Sequence, residues 1–402
     1  MATTDPISEI TPLSAADDHG LLVLLAPMTP EQLELVLGNL SASFPGENLL
    51  IASPNAVSDT ALAGSHPSLR IVAAPAANAS WTLTAADFVS AYQLASKENA
   101  RAILMLSPES GSLSASAIGA LANAVLTTPT DLAIASYHLP PNAGLVNSAI
   151  LYPLSRALFS SRVRFPLAVD LGLSLRMAER LAGTAQRFTK VNQGDTPLWP
   201  VNEAAIAGFT IGEFDVGTRI LHQQTGPDLN TIFPVVTGSL FTDIDTKAAY
   251  WQRFRPLPPA VDSLPISQAT SGDAATDIAP MLQAFRLGYT NLQEIWSLVL
   301  PPNSLLGLKR LSTTEAADFR MPESLWARIV FDFLIAHRLR TINRGHLLGA
   351  LIPLYMAWVA SHINITNSGI TPEAHIEAVA AAFEADKTYM VARWRWPDRF
   401  NP

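Results

Sequence analysis

Asp170 stands alone inside the apolar part of "RFPLAVDLGLS" (164–174), with Arg162 and Arg164 before it and Arg176, Glu179 and Arg180 after it. Burying even a neutral polar group without a partner costs about 2–7 kcal/mol, and an unpaired carboxylate costs more. Asp170 is therefore exposed, paired, or placed for chemistry. An Asp ahead of Leu-Gly also suits the cap of a following helix, and the residues alone leave these readings open. Two further groups follow strand-like runs: Glu109 after "ILMLSP" and His222 after "TRIL". Taken singly, a strand-end Glu and a lone His read as surface features. The basic cluster "HRLRTINRGH" (337–346) reads as cations complementing a helix C-terminus, or as an anion site. The aromatic tail "YMVARWRWPDRF" suits a docked terminal helix or a sugar-stacking surface.

The elements that must carry these groups change character along the chain. In the first half, short apolar runs alternate with helical periodicity. "GLLVLLAP", "ENLLIASP", "LRIVAAP", "RAILMLSP" and "TDLAIASY" are separated by segments such as "MTPEQLELVLGNLSASF" and "TAADFVSAYQLASKENA". Strands apolar on both faces belong to a parallel sheet covered by helices, which presents ligands at its C-terminal strand edge. Near Trp251 the composition turns rich in Pro, Ser, Ala and Asp, which predicts a linker; beyond it the periodicity is helical to the end. The expected division is an α/β domain over 20–250, a Pro-rich linker over 251–280 and a helical domain over 281–402.

Composition removes several function classes. The chain has 402 residues, 49% hydrophobic and 15% charged, with a net charge of −8 that argues against a nucleic-acid surface. The absence of cysteine excludes disulfides, thiolate metal sites and a Cys nucleophile. No Gly-rich phosphate loop, H-E-x-x-H or G-x-S-x-G is present. The uncharged run Leu347–Ser361 falls short of the roughly 18–20 residues of a membrane span and contains Pro353, so a buried core helix is expected. The acidic, polar N-terminus reads as a disordered lead-in, unlike a signal peptide, and a soluble cytoplasmic protein is expected.

The block "NSAILYPLSRALFSSRVRFPLAVDLGLS" (Asn147–Ser174) resembles a segment of retaining nucleotide-sugar glycosyltransferases with the GT-A fold. The resemblance is to bacterial family-2-like enzymes akin to mannosylglycerate and glucosyl-3-phosphoglycerate synthases. "FPVVTGSLF", "PESLWARIVFDF" and "HLLGALIPLYMAWVAS" resemble their later segments, so the likeness runs from about Gly20 to about Trp396. It implies a GT-A sheet followed by a helical C-terminal domain. It also implies transfer of a hexose from a nucleotide-diphosphate sugar to a small anionic acceptor. A homo-oligomer is compatible with it.

The resemblance further implies site roles. Asp170, Arg164 and Asn147 would bind substrate. Such enzymes hold Mg²⁺ or Mn²⁺ with a strand-end Asp-x-Asp and a later His, to neutralise the departing diphosphate. Here Ser107-Pro108-Glu109 stands at the Asp-x-Asp position, which leaves Glu109 and His222 as the expected metal ligands and a weak site. The Gly-Gly before the Asp is Ala168-Val169, and the donor loop Gly-Lys-Gly has no counterpart in "AANASWTLTAADF". Pro197 replaces the acid of the reacting-centre element; Asp195 is the expected catalytic substitute, with Glu203 nearby. Losses at ligand positions with core motifs retained leave two readings open: a glycosyltransferase of weak or lost activity, or a non-catalytic GT-A-like binding or assembly protein.

Overall fold

The computed structural model describes residues 20–46, 49–54, 66, 68–74, 82–167, 169–219, 228–253 and 276–397. Helix and strand alternate first: β1 Leu21–Leu25, α1 Pro30–Ser43, β2 Leu49–Ser53, β3 Leu69–Ala73, α2 Ala85–Lys97, β4 Ala102–Leu106, α3 Ala115–Thr127 and β5 Leu132–His138. A π turn, Asn147–Leu151, leads into α4 Tyr152–Phe159, followed by β6 Leu171–Ser174, α5 Leu175–Thr189, α6 Pro200–Ala207 and β7 Ile211–Thr218. Among the described residues only helices follow: α7 Leu229–Thr246, α8 Ala248–Trp251, α9 Ala279–Asn291, α10 Gln293–Val299, α11 Pro302–Ser312, α12 Glu323–Leu339, α13 Arg344–Asn367, α14 Pro372–Ala385 and α15 Lys387–Arg395.

The local chemistry explains the boundaries. Strands β1, β2 and β4 are buried at every position, because helices cover both faces and leave no side that needs polar residues. Helix α1 opens on a reciprocal cap: the Thr29 hydroxyl accepts from Gln32 N–H, the Gln32 side chain accepts from Thr29 N–H, and Pro30 takes the first turn.

The seven strands form one sheet in the order β3-β2-β1-β4-β6-β5-β7. All neighbours are parallel except β6, which runs antiparallel between β4 and β5. This is the expected α/β class, a mostly parallel sheet covered by helices and followed by a helical C-terminal region. The reversal of β6 has a consequence for chemistry. Its first residues lie at the edge where its parallel neighbours end, so Asp170, just before β6, meets Ser107, just after β4.

At β6, α3 packs directly against the sheet. A Cβ on Gly172 would meet the Leu121 carbonyl oxygen at 2.8 Å, Val125 Cγ2 at 3.2 Å and the Ala133 Cβ at 3.3 Å. Because the nearest atom is backbone, the helix itself has to move. Gly172→Ala is expected to destabilise the fold by about 1–3 kcal/mol, read as a lower urea midpoint at constant slope.

The helical region packs back onto the α/β part through a continuous core. This core starts at Leu145, runs through α4 and α7, and includes Trp251, Trp296, Trp326, Trp358 and Trp394. The sequence places α7 with the sheet, yet Phe233, Val236, Leu240 and Phe241 are buried in this helical core. Leu347–Ser361 is buried along most of its length within α13, as expected. At 24 residues α13 is long and apolar enough to span a bilayer, but its apolar 18-residue window is 72% buried inside the protein. Pro353 of α13 packs where a Cβ on Gly288 of α9 would stand 2.8 Å away, so these two helices meet at a small residue.

Candidate functional site

Four strands deliver polar groups to one point at the C-terminal edge of the sheet. The Ser107 N–H, beyond β4, donates to Asp170 Oδ1 at 2.7 Å. Tyr137, from β5, donates its hydroxyl to Asp170 Oδ2 at 2.6 Å. Arg219, directly after β7, donates from Nη1 to the same Oδ2 at 3.4 Å. Asp170 is 1% exposed. It is buried and paired, so desolvation is offset by a backbone donor, a phenol and a guanidinium. The cap of α5 belongs to another residue: Ser174 Oγ accepts the Met177 N–H.

Arg219 also reaches Glu109. Its Nε lies 3.1 Å and its Nη2 2.9 Å from Glu109 Oε2, and Nη2 lies 3.1 Å from Ser107 Oγ. The guanidinium carbon stacks 4.7 Å from the Tyr137 ring centre. The cluster therefore holds two carboxylates around one guanidinium, with a net charge of −1. Burial, reinforced by the Asp170 charge, raises the Tyr137 pKa well above its ordinary range. Tyr137 is thus a donor to Asp170 throughout the physiological range.

Arg164 and Asn147 form an adjoining cluster. Asn147 Nδ2 donates to the Arg164 carbonyl at 2.8 Å, and Arg164 Nη2 donates to Ser148 Oγ at 3.1 Å. Arg164 Nε reaches Glu373 of α14 at 3.3 Å, and the guanidinium lies over the Tyr152 and Phe165 rings at 5.1 and 5.5 Å. Phe165 in turn meets Tyr137 edge to face at 5.5 Å, which joins the two clusters. These groups fasten the loop before β6 to α14.

The remaining sequence candidates lie elsewhere. Asp195 is exposed in the loop whose Gly194 and Thr196 carbonyls cap α2, and its charge is felt by Asp87. Glu203 is buried between Arg180 at 3.1 Å and Lys247 at 2.8 Å. His222 falls outside the described residues. In the basic cluster, Arg338 donates to the Trp394 carbonyl at 2.8 Å and stands 3.7 Å from Asp245, and Arg344 donates to the His337 carbonyl at 3.1 Å.

A divalent ion does not fit the described groups. Among the described residues, no three His, Asp or Glu side chains converge on one point. The two that come near, Glu109 and Asp170, already share Arg219. Tyr137 and Arg219 escape sequence reading, since a Tyr ending a strand and an Arg beside His222 carry no spacing signal.

No family model and no curated protein sequence matches the chain. Among solved structures, it is similar to glucosyl-3-phosphoglycerate synthase from Mycobacterium tuberculosis in complex with Mn²⁺, uridine diphosphate and glucosyl-3-phosphoglycerate. That match is 14% identical with TM-score 0.37, covering 56% of this chain and 79% of that chain. The complex of that synthase with Mn²⁺, UDP-glucose and phosphoglyceric acid matches at 15% identity and TM-score 0.38, with the same coverage of 56% and 79%. A mycobacterial protein matches at 13% identity and TM-score 0.37, covering 57% of this chain and 75% of that chain. The fold described above rests on the sheet's own order and directions.

Proposed function

We propose that the chain is a nucleotide-sugar glycosyltransferase of low turnover, binding its donor at the C-terminal sheet edge and passing a hexose to a small anionic acceptor. The observation that supports this reading is the meeting of Glu109, Asp170 and Arg219 at that edge, where a doubly wound sheet presents its ligand contacts. Asp170 and Glu109 are the residues that the sequence resemblance assigns to donor sugar and cation. Arg164 and Asn147 would act from the adjoining cluster, and Asp195 would need its loop to approach the donor. A second reading, a non-catalytic binding protein on the same scaffold, is favoured by one observation: both carboxylates are already engaged by the same guanidinium.

Turnover is expected to be low because donor contacts are missing. Each lost charge-assisted contact is worth about 1.5–3 kcal/mol, so losing two or three weakens the donor complex about 10²- to 10⁶-fold. A donor that such sites hold at about micromolar affinity would bind here at about 0.1 mM or weaker. The test is product formation by mass spectrometry from UDP- and GDP-hexoses with glycerate or phosphoglycerate, with Mg²⁺ or Mn²⁺ and at high enzyme concentration. Trace product supports the first reading. Nucleotide binding with no product supports the second, and neither binding nor product sinks both. Fast turnover abolished by Glu109→Ala would show that the surviving carboxylate suffices and that the losses were misread.

A further inference from the structure

We infer that Arg219 is the resident cation of this site, standing where the sheet-edge carboxylates would otherwise hold a divalent ion. The guanidinium bridges Glu109 at 2.9 and 3.1 Å and Asp170 at 3.4 Å, and it also binds the hydroxyl of Ser107 at 3.1 Å. A Mg²⁺ ion would need these carboxylate oxygens at about 2.0–2.1 Å, in the space the guanidinium fills. Two cations cannot share that space without strong repulsion in a buried setting. Arg219 is also not free to leave: it is 8% exposed, lies against the Tyr137 ring, and balances an Asp170 that is 1% exposed.

The geometry leaves the guanidinium one thing to offer. Of its five N–H groups, Nε donates to Glu109, Nη2 to Ser107 and Nη1 to Asp170, and Nη2 also stands 2.9 Å from Glu109 Oε2 as an ion pair. The second Nη1–H takes no part in these contacts. A planar fork with one open donor suits a phosphate oxygen. The ligand class is therefore a diphosphate held by Arg219 without a metal. This nucleotide clause rests on the function proposed above; the exclusion of a divalent ion does not.

The experiment titrates Mn²⁺ into the full-length chain and follows free Mn²⁺ by electron paramagnetic resonance. Calorimetry of uridine diphosphate is run alongside, with EDTA and with Mn²⁺. Wild type is expected to bind no Mn²⁺ tightly, and its nucleotide affinity should change less than about twofold between EDTA and Mn²⁺. Arg219→Ala frees both carboxylates and is expected to gain Mn²⁺ affinity by at least about tenfold. Arg219→Met fills the volume and serves the same purpose if the Ala variant does not fold. A wild-type Mn²⁺ site lost in Glu109→Gln would overturn the inference, as would nucleotide affinity that rises tenfold or more with Mn²⁺. Folded variants that gain no Mn²⁺ would also overturn it. The expected Mn²⁺ pattern with no nucleotide binding under any condition would leave Arg219 as the resident cation and remove the nucleotide reading instead.

Discussion

Between pH 6.5 and 4, wild-type protein is expected to lose about 3 kcal/mol of stability relative to a His362→Gln variant, as His362 takes up a proton that the folded state resists. The His362 pKa is pushed down to about 4 by burial first, then by the neighbouring His375 and by Arg164; the Pro141 carbonyl pulls the other way. The environment is specific. His362 Nδ1 and His375 Nδ1 are 2.7 Å apart, so one donates and the other accepts, and both rings stack with Trp358. The His375 pKa is likewise lowered by burial, against the charge of Glu323 at 3.7 Å.

For a base with a depressed folded pKa, the stability is fully present above the unfolded value and drains away as pH falls through the folded one. His337, also held near 4 by burial and by Arg344 and Arg340, works in the same sense. Asp332 works against it. Burial pushes its pKa up to about 7 despite Arg393, so the folded state gains a proton over the same window and is stabilised by acid. The informative quantity is therefore the difference between wild type and variant, from urea unfolding at several pH values. Parallel stability curves for the two proteins would show that His362 does not stay neutral in the fold.

Sequence reading reached the sheet more fully than the site, for a physical reason. A strand such as "AILML" carries its own evidence, since five consecutive apolar residues bounded by turn residues have few other uses. The helix α13 is legible for the same reason, although capping by Asn343 starts it before the uncharged run. β6 is shorter than the apolar stretch suggests, covering only Leu171–Ser174, because pairing with β4 and β5 is decided by the sheet and not by the segment. The strand expected to run on to His222 ends at Thr218, before the residues that lie outside the description. Asp170 is legible as a carboxylate that needs partners, but its partners are not. Tyr137 is 33 residues away and Arg219 is 49 away, while the Arg219–Glu109 pair spans 110. Nothing local marks those residues; only the strand order brings them together.

Asp170→Ala is expected to cost about 3–5 kcal/mol, the usual penalty for removing one partner of a buried charge pair, while Asp170→Asn costs less. The carboxylate accepts from Ser107 N–H through Oδ1, and from the Tyr137 hydroxyl and Arg219 through Oδ2. Truncation strands a backbone N–H, a phenol and part of a guanidinium away from water. Asparagine keeps one oxygen, enough for either the Ser107 N–H or the Tyr137 hydroxyl, and turns an NH₂ group toward one of those donors. It also leaves Arg219 paired with Glu109 alone. The same accounting limits what Asp170 can do for a ligand. Oδ2 already accepts twice, so only Oδ1 keeps a lone pair, and a residue 1% exposed offers it only if the edge opens. If Asp170 binds a donor hexose through that lone pair, Asp170→Asn should weaken UDP-glucose more than UDP. If it serves only to hold Arg219 and Tyr137, both ligands should weaken by the same factor. Urea unfolding of the two variants and paired calorimetry on Asp170→Asn separate these roles. A stability loss below about 1 kcal/mol for the Ala variant would contradict the buried ion pair itself.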